Sequence, residues 1–240
     1  MITQFLTQIF ENKLILTEIL LFITITISSL YIFKKANFYY KLSGHKGLKY
    51  FAITFLYLAI SGILNFTQTI LEYIINKLNL IVTTKITILL QILEFTYDYT
   101  IIIAILLLTY SLVWKDLEKN KIKYKTIILQ LIAIIIALIN LRFKFILHSV
   151  TLILLIYGII ISYANHITNK TQNKKSSFSQ LYFISLILIF IIYLSNFLIG
   201  FFPILKLYGK FIIILVFLIF LYGAINPQIK SNQNKKLIQN

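Results

Sequence analysis

Seven long apolar runs, with few charged residues inside them, leave this chain few ways to fold. They lie at about 14–33, 50–75, 86–114, 125–141, 144–164, 179–201 and 204–225 of the 240 residues. A run of about 18 or more apolar residues, rising 1.5 Å per residue as a helix, crosses a ~30 Å hydrocarbon layer. Lipid offers no water to a loose peptide group, so a spanning segment must be a helix or part of a closed barrel. The runs lack the polar/apolar alternation of barrel strands. The expected fold is therefore all-α: a polytopic integral membrane protein, a bundle of seven transmembrane helices over residues 1–226, with a polar tail at 227–240. The fourth run is the shortest. Only Leu141–Lys144, "LRFK", separates it from the fifth, and the two charges there favour a tight turn at a surface over one long broken helix.

Composition agrees. The chain is 59% hydrophobic and 12% charged, against roughly half and about a quarter in soluble domains. Cysteine is absent, which excludes a disulfide frame, thiol chemistry and Cys-based metal sites. A formal net charge of +16 would suit nucleic acid, but most of the lysines fall in short segments beside the apolar runs, where they fix orientation instead. No nucleic-acid partner is expected; the expected partners are membrane lipids and a partner membrane protein or complex. The segment before the first run has no basic n-region and no small-residue cleavage site, so it reads as a retained N-terminus.

Orientation follows from the lysine bias. Sixteen lysines lie after the first, third and fifth runs or in the tail, against five basic residues (Lys13, Lys77, Lys85, Arg142 and Lys144) on the other side. The rich side is expected to be cytoplasmic, with the N-terminus outside, the C-terminus inside and the protein in a membrane, by expectation the cell membrane. The second and sixth runs also share an opening Tyr-Phe and a late Asn (Asn65, Asn196), a possible parallel repeat of the kind used by transporters.

With directions assigned, the polar residues inside the runs collect in one layer. Glu18, Asn65, Gln68, Glu72, Gln91, Glu94, Asp98, His148, Asn196, Lys206 and Lys210 all fall in the outer half, and the inner halves are nearly all apolar. Glu94 and Asp98 are four apart on one face of the third helix, and Gln91 extends that face. Lys206 and Lys210 share a face of the seventh, at similar inferred depth. An uncompensated charge at mid-membrane costs roughly 3 kcal/mol on insertion scales. The carboxylates are therefore expected to pair with the lysines across the bundle, as a ligand site or a buried structural ion pair.

Other signals are weaker. Leu42–Phe51, "LSGHKGLKYF", reads as a basic turn in which Gly44 and Gly47 permit a bend. His45, Lys46 and Lys49 there suit anionic head groups or a partner, or only set orientation. His45, His148 and His166 fall on different sides or loops, so no metal site is expected. No phosphate loop, HExxH or Gly-x-Ser-x-Gly occurs; no catalytic residue and no cofactor is assigned.

The outline of seven helices, N-terminus outside, is similar to that of microbial rhodopsins. That resemblance implies a retinal-bearing lysine at Lys210 and a counterion at Asp98. Trp114 is the only tryptophan, so the aromatic cage of such proteins is missing. The expected function is that of a receptor, sensor or accessory membrane subunit with a polar site in the outer half. The alternative is a solute or proton-coupled transporter using Glu94, Asp98 and Lys210. A retinal photoreceptor or a lipid-modifying membrane enzyme is more remote. A transporter should carry polar lining in both halves, because alternating access must open both ways.

Overall fold

The computed structural model describes residues 2–78, 83–119, 125–143 and 145–171, with single positions between 183 and 218. The described residues form five helices and no strand: α1 (Ile2–Ser43), α2 (Lys46–Lys77), α3 (Thr84–Lys119), α4 (Lys125–Arg142) and α5 (Phe145–Thr171). The described positions between 183 and 218 are also helical. Parts of α1, α2, α3 and α5 are long and apolar enough to cross a membrane: Leu16–Ser43, Lys46–Lys77, Thr84–Trp114 and Phe145–Asn165. The apolar part of α4, Thr126–Arg142, is shorter.

Four of the helices outlast their apolar runs. α1 continues to Ser43, about ten residues beyond the expected end, so Lys34, Lys35 and Lys41 lie on a helix instead of in a loop. Backbone hydrogen bonding does not depend on apolarity. The apolar run marks what lipid can cover, while the helix ends only where the backbone is forced out. That happens at Gly44, whose φ of 66° is left-handed and easy only for glycine. The Gly44 N–H bonds the Tyr40 carbonyl at 2.8 Å, and α2 restarts at Lys46 after a turn of two residues. The α4–α5 junction is likewise a tight turn, with helix ending at Arg142 and resuming at Phe145.

The turns make the bundle run up and down. The middle of α1 meets the later half of α2, where Phe22 stacks on Phe66 at 4.3 Å. Early α2 meets late α3, where Tyr50 sits edge-on to Tyr110 at 4.6 Å. α3 is the central element, packing on α2, α4 and α5. Every residue from Thr100 to Ser111 is buried, so this part of α3 has no outward face. α4 is the reverse. Its buried stripe is narrow, Ala133, Ala137 and Asn140, and the two alanines let its backbone lie close to α3. Around that stripe Ile127, Ile128, Leu131, Ile132, Ile134, Ile135, Leu138 and Ile139 are all exposed. α1 exposes Leu16, Leu20, Ile23, Ile27 and Leu30 in the same manner. Apolar surface this continuous is rare on proteins bathed in water.

Candidate functional site

At one end of the bundle the helices part around a cavity of about 500 Å³. Each helix contributes one stripe at helical spacing. α1 supplies Glu18, Leu21 and Ile25; α2 supplies Ser61, Asn65, Gln68 and Glu72; α3 supplies Glu94, Tyr97, Asp98 and Ile101. Asn140 reaches it from the last turn of α4, and Leu147 and His148 from the first turn of α5. Tyr193 and Phe217 come from the later helical positions. The contributing residues are midway along α1, in the later half of α2, in the earlier half of α3, at the end of α4 and at the start of α5. In an up-and-down bundle those are all the same end. Toward the opposite end, Ala52, Phe55, Ile105 and Leu108 pack closely, each at most 1% exposed.

Asp98 is the most deeply set polar lining residue of α3, at 3% exposure. One of its oxygens, Oδ2, accepts a hydrogen bond from Asn140 Nδ2 at 2.7 Å. Asn140 Oδ1 in turn accepts the backbone N–H of Leu147 at 3.0 Å. That second bond fixes which end of the amide faces which partner. It also satisfies an N–H at the start of α5 that has no partner within its own helix. Asp98, Asn140 and Leu147 thus join α3, α4 and α5 at the cavity floor. Higher up, Gln68 Nε2 donates to Glu72 Oε1 at 2.9 Å, one turn apart on α2, in an exposed position.

Of the seven acidic residues in the chain, four line this cavity: Glu18, Glu72, Glu94 and Asp98. The expected polar layer is thus gathered into one space, as far as the described residues go. Glu94 is half-buried within it. Gln91, one turn away on α3, is exposed and outside the lining. Asn196, Lys206 and Lys210 lie outside the described residues, and so does the pairing of the two lysines with Glu94 or Asp98. No group of three or more His, Cys, Asp or Glu among the described residues is placed to hold a metal ion.

His45, Lys46 and Lys49 sit at the other end of the bundle and are exposed. The His45 ring stands edge-on to Trp114 at 5.0 Å. Gly47, expected to help the bend, is instead a buried residue inside α2, directly under the same tryptophan. A Cβ there would lie 2.7 Å from Trp114 Nε1 and 2.9 Å from Cδ1, so glycine is what lets the indole lie on the α2 backbone.

Asn140 was not legible as a site residue, although of the two amides in this nearly pure aliphatic helix, Gln130 and Asn140, it is the one in register with Ala133 and Ala137. That register was the available signal. Tyr97 and Tyr193 read as ordinary aromatic content, and only the fold brings them to the cavity. No known family matches this chain, and neither a curated protein nor a solved structure is detectably similar to it.

Proposed function

We propose that this protein is a seven-helix integral membrane protein of receptor-like or accessory type, with a ligand site in the outer half of its bundle. The observation that carries this reading is the cavity: polar side chains from five helices converge at one end, and the described residues toward the other end are closely packed. Its volume lies within the roughly 300–1,000 Å³ typical of small-molecule sites. The lysine bias supplies the sidedness and puts the cavity on the non-cytoplasmic face. The exposed aliphatic surfaces of α1 and α4 support a lipid environment.

Transport is the second reading. Its support is the buried carboxylate of Asp98, since ionisable residues within spanning helices often mark ion or substrate paths. The close apolar packing of Ala52, Phe55, Ile105 and Leu108 at the other end weighs against it, although among the described residues the hydroxyls of Thr54, Thr109 and Ser111 are also buried there. Flux assays separate the two. Purified protein in liposomes should bind solute at the cavity without conducting it. Solute or proton flux abolished by Asp98→Asn would establish the transporter instead.

A further inference from the structure

We propose that the tip of the α1–α2 hairpin, residues 34–49, is a docking surface for the head groups of anionic phospholipids. It lies at the end of the bundle away from the cavity and rests only on the membrane part of the reading above. The first observation is length. Leu16–Ser43 has 28 residues, about 42 Å of helix against a ~30 Å hydrocarbon layer. The apolar run that ends at position 33 already fills that layer. The surplus, residues 34–43, therefore stands at head-group level. Lys46 and Lys49 precede the apolar run of α2 and meet it there.

The second observation is the face this surplus presents. Ile32 and Ala36 turn toward the bundle and are buried. Tyr31, Lys34, Phe38, Lys41 and Leu42 share the other side at helical spacing, and all five are exposed. They continue the stripe of the exposed Leu20, Ile23 and Ile27. The lipid-facing side of α1 thus runs without a break into one where lysines alternate with aromatic and aliphatic side chains. A lysine placed there lays its stem on apolar neighbours and lifts its ammonium to the phosphates. Tyrosines suit the same layer. Lys35 Nζ stands 5.6 Å from the centre of the Tyr31 ring. Lys49 Nζ stands 6.0 Å from that of Tyr40, so α2 brings a charge to the tip of α1.

The third observation is a charge excess that no internal pairing removes. The tip carries Lys34, Lys35, Lys41, Lys46 and Lys49, and no carboxylate side chain lies between Glu18 and Glu72. Of the seven in the chain, only Asp116 and Glu118, near the end of α3, come to this end of the bundle. Even with both of them paired to lysines of the tip, three positive charges are left over. A zwitterionic head group brings no net charge to meet them, and an anionic one does. The unbroken apolar stripe makes the partner a lipid rather than an acidic protein segment.

Trp114 is the only tryptophan, and it sits at this tip, edge-on to His45 at 5.0 Å. Its emission therefore reports which lipid stands there. The test uses the full-length protein in vesicles of equal parts phosphatidylglycerol and phosphatidylcholine, with bromine, a short-range quencher, on the acyl chains of one lipid at a time. Both leaflets have the same composition, so the direction of insertion does not matter. Quenching should show phosphatidylglycerol enriched beside Trp114 by at least about threefold, and by less at high salt. Lys34→Gln/Lys41→Gln/Lys46→Gln/Lys49→Gln should cut that enrichment by about half or more. Lys77→Gln/Lys85→Gln, at two exposed lysines of the other end, should leave it unchanged. Equal quenching by the two lipids in the unaltered protein overturns the proposal and leaves the charges to orientation or to an acidic protein partner. Enrichment untouched by the four substitutions overturns it too, since the attraction then comes from elsewhere. If the fourfold variant does not fold, the unaltered protein decides: a lipid preference that salt does not weaken overturns the proposal. Protein that will not insert into vesicles at all overturns the membrane reading itself.

Discussion

Asn140 holds two buried groups at once, and its removal should be felt at both. Asn140→Ala would leave the Asp98 oxygen and the Leu147 N–H without their partner. Each stranded buried group costs about 1–3 kcal/mol. Denaturant unfolding in detergent should therefore show a loss of roughly 2–5 kcal/mol. In Asp98→Leu/Asn140→Leu the loss should be smaller than the sum of the single variants, because neither the Asp98 carboxylate nor the Asn140 amide is then left facing an apolar partner, and the Leu147 N–H is stranded only once. A purely additive result would mean the two residues are not coupled. Two glycines allow a sharper contrast. Gly44→Ala meets no atom within 4 Å and should lose only the cost of its left-handed φ, about 1–2 kcal/mol. Gly47→Ala must displace Trp114 and should cost about 1–3 kcal/mol with a change in tryptophan emission. Since Trp114 is the only tryptophan, the signal needs no deconvolution. The sequence marks both glycines but not their different work. Only Gly44 ends a helix, and the approach of Trp114 to Gly47 joins positions 67 apart in the chain, a contact that no local pattern carries.

Among the elements, α4 shows most directly what the apolar runs revealed and what they hid. Its position was legible to within a residue, 125–141 against Lys125–Arg142, because a surface turn bounds it on its C-terminal side. Which face it buries was not legible, since aliphatic residues surround it on every side. The buried stripe is picked out by size, through Ala133 and Ala137. Ala137→Leu should therefore wedge α4 from α3 and destabilise the protein by about 1–3 kcal/mol. Ile135→Ala, on the exposed face, should change stability by less than about 0.5 kcal/mol. Comparable losses from both would place a protein partner, rather than lipid, over the exposed face. For α1 the apolar run located the helix but understated its length, because lysines beyond the run do not stop a helix that remains hydrogen-bonded.

For the molecule as a whole, the central claim is that the polar end of the bundle faces out of the cell. Position along the apolar runs put Glu18, Glu72, Glu94 and Asp98 at one level, and the fold gathers them around one cavity. Level along the bundle is legible because it follows from position along a helix. Which helix faces which is not, so Asn140 and the two tyrosines emerged only in three dimensions. The claim can be tested in intact cells. Because the chain lacks cysteine, single cysteines can be introduced without background. Asn65→Cys lines the cavity, and Ser43→Cys lies at the opposite end, where α1 turns into α2. A membrane-impermeant thiol reagent should label Asn65→Cys on intact cells and reach Ser43→Cys only after permeabilisation. The reverse pattern, with Ser43→Cys labelled from outside and Asn65→Cys protected until the cells are opened, would contradict the orientation and move the site to the cytoplasmic face.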